Sequence, residues 1–305
     1  MTDETYVNLG KEDRAALKAI SQPSDARGLI QLAGHLALLG LTGTVVFFAA
    51  GQPWLVPALV AHGIVLVFLF TPEHECIHRT AFRSRWINDW LARAIGFLLV
   101  LPARYFRAFH TAHHRYTQIE GRDPELPGKE FDNLTGYLWH VTGIPYWLTN
   151  GGKVLRHAAG KVVAPYLDGR YGREVVREAR WHVALYILAA AGSVWLQIDV
   201  LLWYWILPAL CGQPFLRLYL LAEHKMLPLS ADMLRNSRTT RTNAFVRFLA
   251  WNMPYHIEHL SFPAVPFHAL PQAHARIRER IDPNALSPGY LHFHYRYIRS
   301  LIGAR

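Results

Sequence analysis

Histidines recur in this sequence at helical spacing, next to long apolar segments. The stretch HECIH ends the first apolar region, FHTAHHRYTQ follows it, and LAEHKM and WNMPYHIEHLSFP come later. Residues three and four apart stand on one face of a helix, so each group directs its imidazoles at one point. Imidazole is a ligand for iron, zinc, copper and nickel. The candidate metal ligands are His74, His78, His110, His113, His114, His224, His256 and His259.

Other histidines lack this spacing, and we assign them to packing or hydrogen bonding. They are His35, His62, His140, His157, His182, His292 and His294. The grouped imidazoles exceed the needs of one metal ion, which takes about four to six ligands, so the sequence predicts two ions. A soluble di-iron bundle would need Glu-x-x-His on two helices, whereas ECIH is a single instance.

The elements that must position these histidines are unusually apolar. The chain has 305 residues, of which 51% are hydrophobic, with 10 Trp, 14 Tyr and 15 Phe. This composition is typical of a membrane protein rather than a soluble one. The formal net charge of +10 suits an anionic lipid surface, and we find no motif for binding nucleic acid. Cys76 and Cys211 form no disulfide or zinc pattern, which fits a reducing compartment.

Apolar segments of roughly spanning length form two hairpins, since about 20 apolar residues cross a bilayer as a helix. The hairpin turns are AGQP and the region of Asp199, and neither contains Lys or Arg. Two shorter apolar stretches, residues 94–102 and 134–148, are predicted to lie in the membrane interface. The predicted spans are residues 29–50, 54–72, 183–198 and 201–222.

The charge distribution predicts the orientation of these spans. All 32 Lys and Arg lie in residues 1–28, 73–181 and 217–305. Positively charged segments stay in the cytoplasm, so both termini and every histidine group are expected there. We therefore predict an all-α integral membrane protein with four transmembrane helices and a cytoplasmic histidine-rich cap, of the kind found in a bacterial inner membrane. Its expected parts are a tail (1–28), a membrane domain (29–285) and a second tail (286–305).

With its histidine groups in this order, the chain resembles the membrane-bound fatty acid desaturase superfamily, which includes hydroxylases and ketolases. HECIH matches the first histidine box, HTAHHRYTQ the second and NMPYHIEH the third. RLYLLAEH, NSRTTRTN and PAVPFHALPQAH support the match. The resemblance covers residues 55–285, and three boxes in order make a specific signature.

The resemblance implies an oxidoreductase with a non-haem centre of two iron ions, most simply a fatty acid or acyl-lipid desaturase that uses O2. The eight candidate histidines would be its ligands, and a lipid or fatty acyl chain its substrate. The sequence contains no dinucleotide-binding fingerprint, no iron–sulfur cysteine pattern and no cytochrome b5 signature. A separate ferredoxin or similar carrier, with its reductase, is therefore implied, and Arg104, Arg107 and Arg115 are candidates for docking it.

One position departs from the family pattern, because the third box commonly ends in paired histidines and Leu260 stands here in the second place. Either the centre has one ligand fewer, or another residue substitutes, or the chain has lost activity. His268 and His274 lie downstream, and Asn252 precedes the box as a weak ligand, an orienting partner or a helix cap. Glu73, Glu75, Glu223 and Glu258 adjoin the candidate ligands and are expected either to orient imidazoles or to be surface charges.

Three other functions compete with desaturation. A hydroxylase or ketolase of an apolar substrate shares the initial hydrogen abstraction. A histidine-rich metal transporter would place its polar ligands near the midplane of its spans, whereas these boxes follow the span ends. A degenerate, non-catalytic member of the superfamily would account for Leu260. GRDPELPG, which contains Asp123 and Glu125, is predicted to form a turn without a catalytic role.

The predicted topology is tested with reporter fusions in the AGQP turn and after Arg305. We expect an external signal at the turn and a cytoplasmic signal after Arg305, because positive charge is confined to the segments assigned to the cytoplasm. A matched fusion after residue 120, beside the second histidine box, should also report cytoplasm. A cytoplasmic signal at AGQP would contradict the two-hairpin topology.

Overall fold

The structure is a computed structural model, and it describes residues 4–126, 133–167 and 169–303. These residues are mostly helical, as the sequence predicts. The helices are α1 (Lys11–Ile20), α2 (Asp25–Ala49), α3 (Leu55–Val67), α4 (Phe70–His78), α5 (Arg85–Leu99), α6 (Ala103–Tyr116), α7 (Leu134–Val141), α8 (Ile144–Ala158), α9 (Gly169–Trp195), α10 (Leu207–His224), α11 (Met233–Asn236), α12 (Ala244–Leu249), α13 (His256–Ser261), α14 (Leu270–Ile277) and α15 (Tyr290–Gly303).

Shorter elements lie between these helices. A π-helical segment, Leu202–Ile206, leads directly into α10. The strands β1 (Thr239–Thr240) and β2 (Leu286–Ser287) pair in parallel, with Thr239 opposite Leu286. The 3-10 turns are Phe267–Ala269, Arg278–Arg280 and Pro283–Ala285. The predicted all-α class therefore holds for the architecture, with one very short β pair added.

Within the described residues, three helical segments are long and apolar enough to cross a membrane: Asp25–Ala49, Leu55–His78 and Leu202–His224. The second consists of α3 and α4 in line. Their apolar side chains face outward as well as inward, and Phe47 and Phe48 at the end of α2 are 65% and 66% exposed. A helix with apolar residues on its outer surface is stable in lipid, where no water competes for its backbone.

The predicted span at residues 183–198 lies in α9 and is not among those three segments. Its apolar part ends with the helix at Trp195, so it is much shorter than the roughly 20 residues that cross a bilayer. The first half of α9 is strongly charged. The end of α9 nevertheless exposes a large apolar surface, with Trp195 85% exposed. Four crossings therefore remain a prediction, and three are supported.

The helices α3 and α10 pack with their backbones in direct contact at two glycines. A Cβ atom at Gly63 would lie 2.0 Å from the carbonyl oxygen of Pro208, and one at Gly212 would lie 2.1 Å from that of Gly63. Small residues permit such close approach between membrane helices. This contact brings the histidine-bearing end of α4 beside the end of α10.

The short apolar helices α5, α7 and α8 expose aromatic and aliphatic side chains. Trp86 and Trp90 on α5, Trp139 on α7 and Leu148 on α8 are all exposed, whereas the opposite faces of these helices are buried. Amphipathic helices with exposed Trp are typical of the membrane interface. They surround the site from the side.

The N-terminal segment packs against the histidine-bearing part of the chain. Tyr6 bridges to Asp232, and the backbone of Thr5 donates to the carbonyl of Arg115. On α1, Asp13 forms ion pairs with Arg276 at 3.0 Å and Arg280 at 2.6 Å. Residues predicted as a tail therefore contribute contacts to the cap formed by α11–α15.

The glycine contact makes a prediction for stability. Gly63→Ala should lower the free energy of unfolding by about 1–3 kcal/mol, because its methyl group overlaps backbone atoms that cannot move aside. The matched control is Gly40→Ala on α2, where an added Cβ meets no atom within 4 Å. Thermal unfolding of both variants in detergent measures the difference. Equal melting temperatures would mean that α3 and α10 are not in backbone contact.

Candidate metal centre

The eight candidate histidines come from four helices that end at one place. His74 and His78 lie on α4, His224 is the last residue of α10, and the second and third boxes lie on α6 and α13. The structure brings all eight together in two groups. The five-histidine group is His74, His78, His110, His114 and His259, and the three-histidine group is His113, His224 and His256.

In the five-histidine group the Nε2 atoms lie close to one another. The Nε2 of His110 lies 2.6 Å from that of His74 and 2.9 Å from that of His114. The Nε2 of His259 lies 3.2 Å from that of His114. Two nitrogens bound at right angles to one ion, each at about 2.1 Å, would be about 3.0 Å apart. The group therefore has the spacing of ligands around a metal ion.

The three-histidine group has the same geometry with fewer members. The Nε2 atoms of His224 and His256 are 3.1 Å apart. The Nε2 of His113 is buried and has no hydrogen-bond partner among the described residues. A buried nitrogen without a partner is costly in a protein interior, and a metal ion would satisfy it.

The second nitrogen of several imidazoles is held by the protein. The Nδ1 of His113 lies 2.9 Å from a carboxylate oxygen of Asp123, and the Nδ1 of His224 donates to the carbonyl of Asn236 at 3.1 Å. Glu223 Oε1 is 3.5 Å from His256 Nδ1, and Glu75 Oε1 is 3.7 Å from His259 Nδ1. The contacts of His113 and His224 fix the orientation of these two rings, whereas the longer approaches of Glu223 and Glu75 are not hydrogen bonds. The Nε2 of each held ring is left free to bind a metal.

Electrostatics favour neutral imidazoles in most of the centre. Burial and the charge of neighbouring imidazoles lower the pKa of His110, His114 and His259 far below the ordinary value. Their Nε2 lone pairs are therefore available at neutral pH.

His113 is the exception among these imidazoles. Burial acts to lower its pKa, but the carboxylates of Glu125 and Asp123 outweigh burial and raise the pKa to about 9. The negative charge that favours a proton on His113 equally favours a metal cation. Binding a metal there releases that proton.

The residues predicted as alternative or orienting groups lie outside both histidine groups. The Asn252 side chain donates to the carbonyl of Phe267, and its backbone is left-handed with φ of 58°. Glu258 contacts Thr239 and His274, each at 2.6 Å. His268 lies 2.9 Å from an Arg27 guanidinium nitrogen.

Histidines without box spacing are also placed elsewhere. His35 bonds to the carbonyl of Val65, and His62 bonds to Thr42 and to the carbonyl of Tyr204. His182 donates to the carbonyl of Glu178, and His294 to that of Leu218. These four histidines form hydrogen bonds within the helical framework, as expected for residues with a packing role.

A cavity of about 450 Å³ opens onto both groups, with His110 of one and His256 of the other in its wall. Aromatic rings of Phe70, Phe106 and Phe109 form much of the lining. Charged residues line it as well, namely Lys153, Arg217, Glu125, Glu223 and Lys225. Histidine spacing did not single out Lys153 or Arg217, and the sequence analysis assigned Glu125 only to a turn. For Arg217 the available signal was its charge near the end of the apolar helix α10.

Comparison with known proteins agrees with this geometry. The family model described as fatty acid desaturase matches residues 51–292. The chain belongs to the fatty acid desaturase family. It is thus a desaturase-like oxidoreductase of membranes, and the histidine groups lie within the matched region.

Relatives of known activity are distant but cover most of the chain. An sn-1 oleoyl-lipid 12-desaturase of Arthrospira platensis is 22% identical over 72% of this chain and 67% of its own length. The sphingolipid delta(4)-desaturase/C4-monooxygenase DES2 of Mus musculus is 24% identical over 88% of this chain and 80% of its own. The sphingolipid delta(4)-desaturase DES1 of Drosophila melanogaster is 24% identical over 82% and 75%.

The contact between Asp123 and His113 makes a second prediction. Asp123→Asn should weaken metal binding at the three-histidine group about 10- to 100-fold, because the ring of His113 loses the carboxylate that orients it. Anaerobic iron titration of the purified protein measures this affinity. The control is Asp199→Asn at the exposed hairpin turn. A similar loss in both variants would assign the effect to charge alone.

Proposed function

We propose that this protein is a membrane-bound acyl-lipid desaturase with two non-haem iron ions, bound by the eight histidines of the two groups. The observation that supports this most directly is the convergence of their nitrogens at metal-ligand spacing beside an apolar cavity. Three helices of spanning length support its place in a membrane.

The donor set fits iron. Neutral imidazoles are good ligands for iron, and buried nitrogens of His78 and His113 lack hydrogen-bond partners among the described residues. When bound, the two irons supply the redox chemistry by which O2 and two electrons remove two hydrogens from an unactivated carbon chain. Zinc also binds imidazole, but it has no redox chemistry.

The protein's own residues orient and enclose the reaction. Asp123 and the carbonyl of Asn236 fix the rings of His113 and His224, and Glu223 lies 3.5 Å from the Nδ1 of His256. Most of the histidines in both groups are buried, which limits the access of water to them. The aromatic wall of the cavity, formed by Phe70, Phe106 and Phe109, presents an apolar surface that suits an acyl chain.

Hydroxylation is the second candidate, and one observation supports it. The name of the mouse relative includes a C4-monooxygenase activity beside desaturation. Both reactions begin with removal of a hydrogen and differ in the next step. The larger number of desaturases among the relatives favours desaturation.

Electrons come from a separate ferredoxin or similar carrier in this proposal, because the sequence has no motif for an electron-transfer cofactor of its own. The arginines considered for docking already have partners: Arg104 pairs with Glu174 and Arg107 with Asp89. Arg115 contacts Glu4. We therefore propose that the carrier docks elsewhere on the cytoplasmic surface. The positive charge of that surface orients the protein in an inner membrane.

The function is tested by mass spectrometry of lipids from cells that express the protein. We expect new acyl chains lacking two hydrogens in cells with the wild-type chain and none with His113→Ala, whose iron content should fall to about one per chain or less. His292→Ala, at an exposed position outside both groups, is the matched control and should retain both iron and product.

Three results bear on the alternatives. Chains that gain one oxygen instead would establish hydroxylation. Iron in the wild-type protein with no lipid product would favour a degenerate member. Loss of product in His292→Ala as well as His113→Ala would contradict a specific role for the histidine groups.

A further inference from the structure

The turn that follows α6 is tied to the metal centre by a single carboxylate. Asp123 accepts hydrogen bonds from the backbone amides of Gln118 at 2.8 Å and Glu125 at 2.9 Å, and it also contacts His113 Nδ1 at 2.9 Å. Its side chain is fully buried. The position of the Glu125 backbone is therefore fixed relative to His113.

This arrangement directs the Glu125 carboxylate at both histidine groups. Its Oε2 lies 3.7 Å from the Nε2 of His113, which is the nitrogen that has no partner. Its Oε1 lies 3.5 Å from the Nδ1 of His110. The side chain is part of the cavity wall. Among the ion pairs within 4.0 Å formed by the described residues, Glu125 pairs only with these two histidines.

The helix α13 contributes only His256 to the three-histidine group. Residues four apart share a helix face, so Leu260 lies on the face that includes His256. Leu260 is 1% exposed. A leucine at this position offers no donor atom.

We propose that Glu125 is the fourth protein ligand of the three-histidine site and compensates for the donor that Leu260 does not supply. This inference rests on the proposed function. A carboxylate beside histidines is a common donor set for non-haem iron, and its negative charge would offset part of the positive charge of the metal ions. The nitrogens of His113, His224 and His256 lie within 4.8 Å of one another, and the carboxylate oxygens of Glu125 are not part of this set. Coordination by Glu125 therefore requires its side chain to rotate toward His113.

Anaerobic loading with Fe(II) alone, using the full chain purified in detergent, tests this inference without recourse to turnover. Metal per chain is measured by mass spectrometry after desalting, and affinity by titration. The variants are Glu125→Gln, the double variant Glu125→Gln/Leu260→His, and the control Glu120→Gln, an exposed carboxylate of the same turn.

We expect two irons in the wild type and in Glu120→Gln. Glu125→Gln should retain one, with binding of the second weakened at least tenfold. Leu260→His in that background should restore the second iron, because an imidazole then occupies the position opposite the lost carboxylate. Restoration also excludes misfolding as the cause of the loss.

Two results would overturn the inference while leaving the proposed function intact. One is a Glu125→Gln protein that binds two irons with wild-type affinity. The other is a wild-type protein that binds only one iron tightly and gains a second with Leu260→His alone, since Glu125 would then not act as a ligand. A wild-type chain that binds no iron would instead contradict the proposed function itself.

Discussion

The crowding of imidazole nitrogens in a buried space is the interaction on which the rest of the structure depends. Nε2 atoms of His74, His110 and His114 lie within 2.6–2.9 Å of a neighbouring Nε2. Only one nitrogen of each such pair can carry a proton, so their lone pairs converge without enough donors. Leaving such groups unsatisfied costs roughly 2–7 kcal/mol each. A metal ion bound between these nitrogens would remove this cost.

Bringing four helix ends to one place requires close packing away from the site. The backbone contact between Gly63 and Gly212 brings α10 against α3, and α4 continues α3 to the first histidine box. The third box lies on α13, which is part of the cap, and the N-terminal helix α1 packs against the cap. The ion pairs of Asp13 with Arg276 and Arg280 link that helix to the cap. Each ligand therefore lies on a regular element rather than on a free loop, which limits its movement.

The two histidine groups are unequal, and the inequality has a structural basis. The box histidines on α6 belong to different groups. His110 and His114, which are one turn apart, belong to the five-histidine group, and His113 belongs to the three-histidine group. The five-histidine group has more imidazoles, whereas the three-histidine group is bordered by the carboxylates of Asp123 and Glu125. The cavity borders both groups, and Glu125 on the turn after α6 lies in its wall.

The sequence by itself determined the family, the helical class and the eight histidines, because helical spacing and apolar length are local properties of the chain. It did not determine how the histidines divide, since that depends on the crossing of helices distant in sequence. Four crossings stay a prediction, because the apolar part of the segment at 183–198 ends with α9 at Trp195, and local apolarity does not show where a helix ends. Glu125 and its tether Asp123 were assigned only to a turn. Their approach to His113 arises when that turn folds back on α6, and only the tertiary structure brings those atoms together.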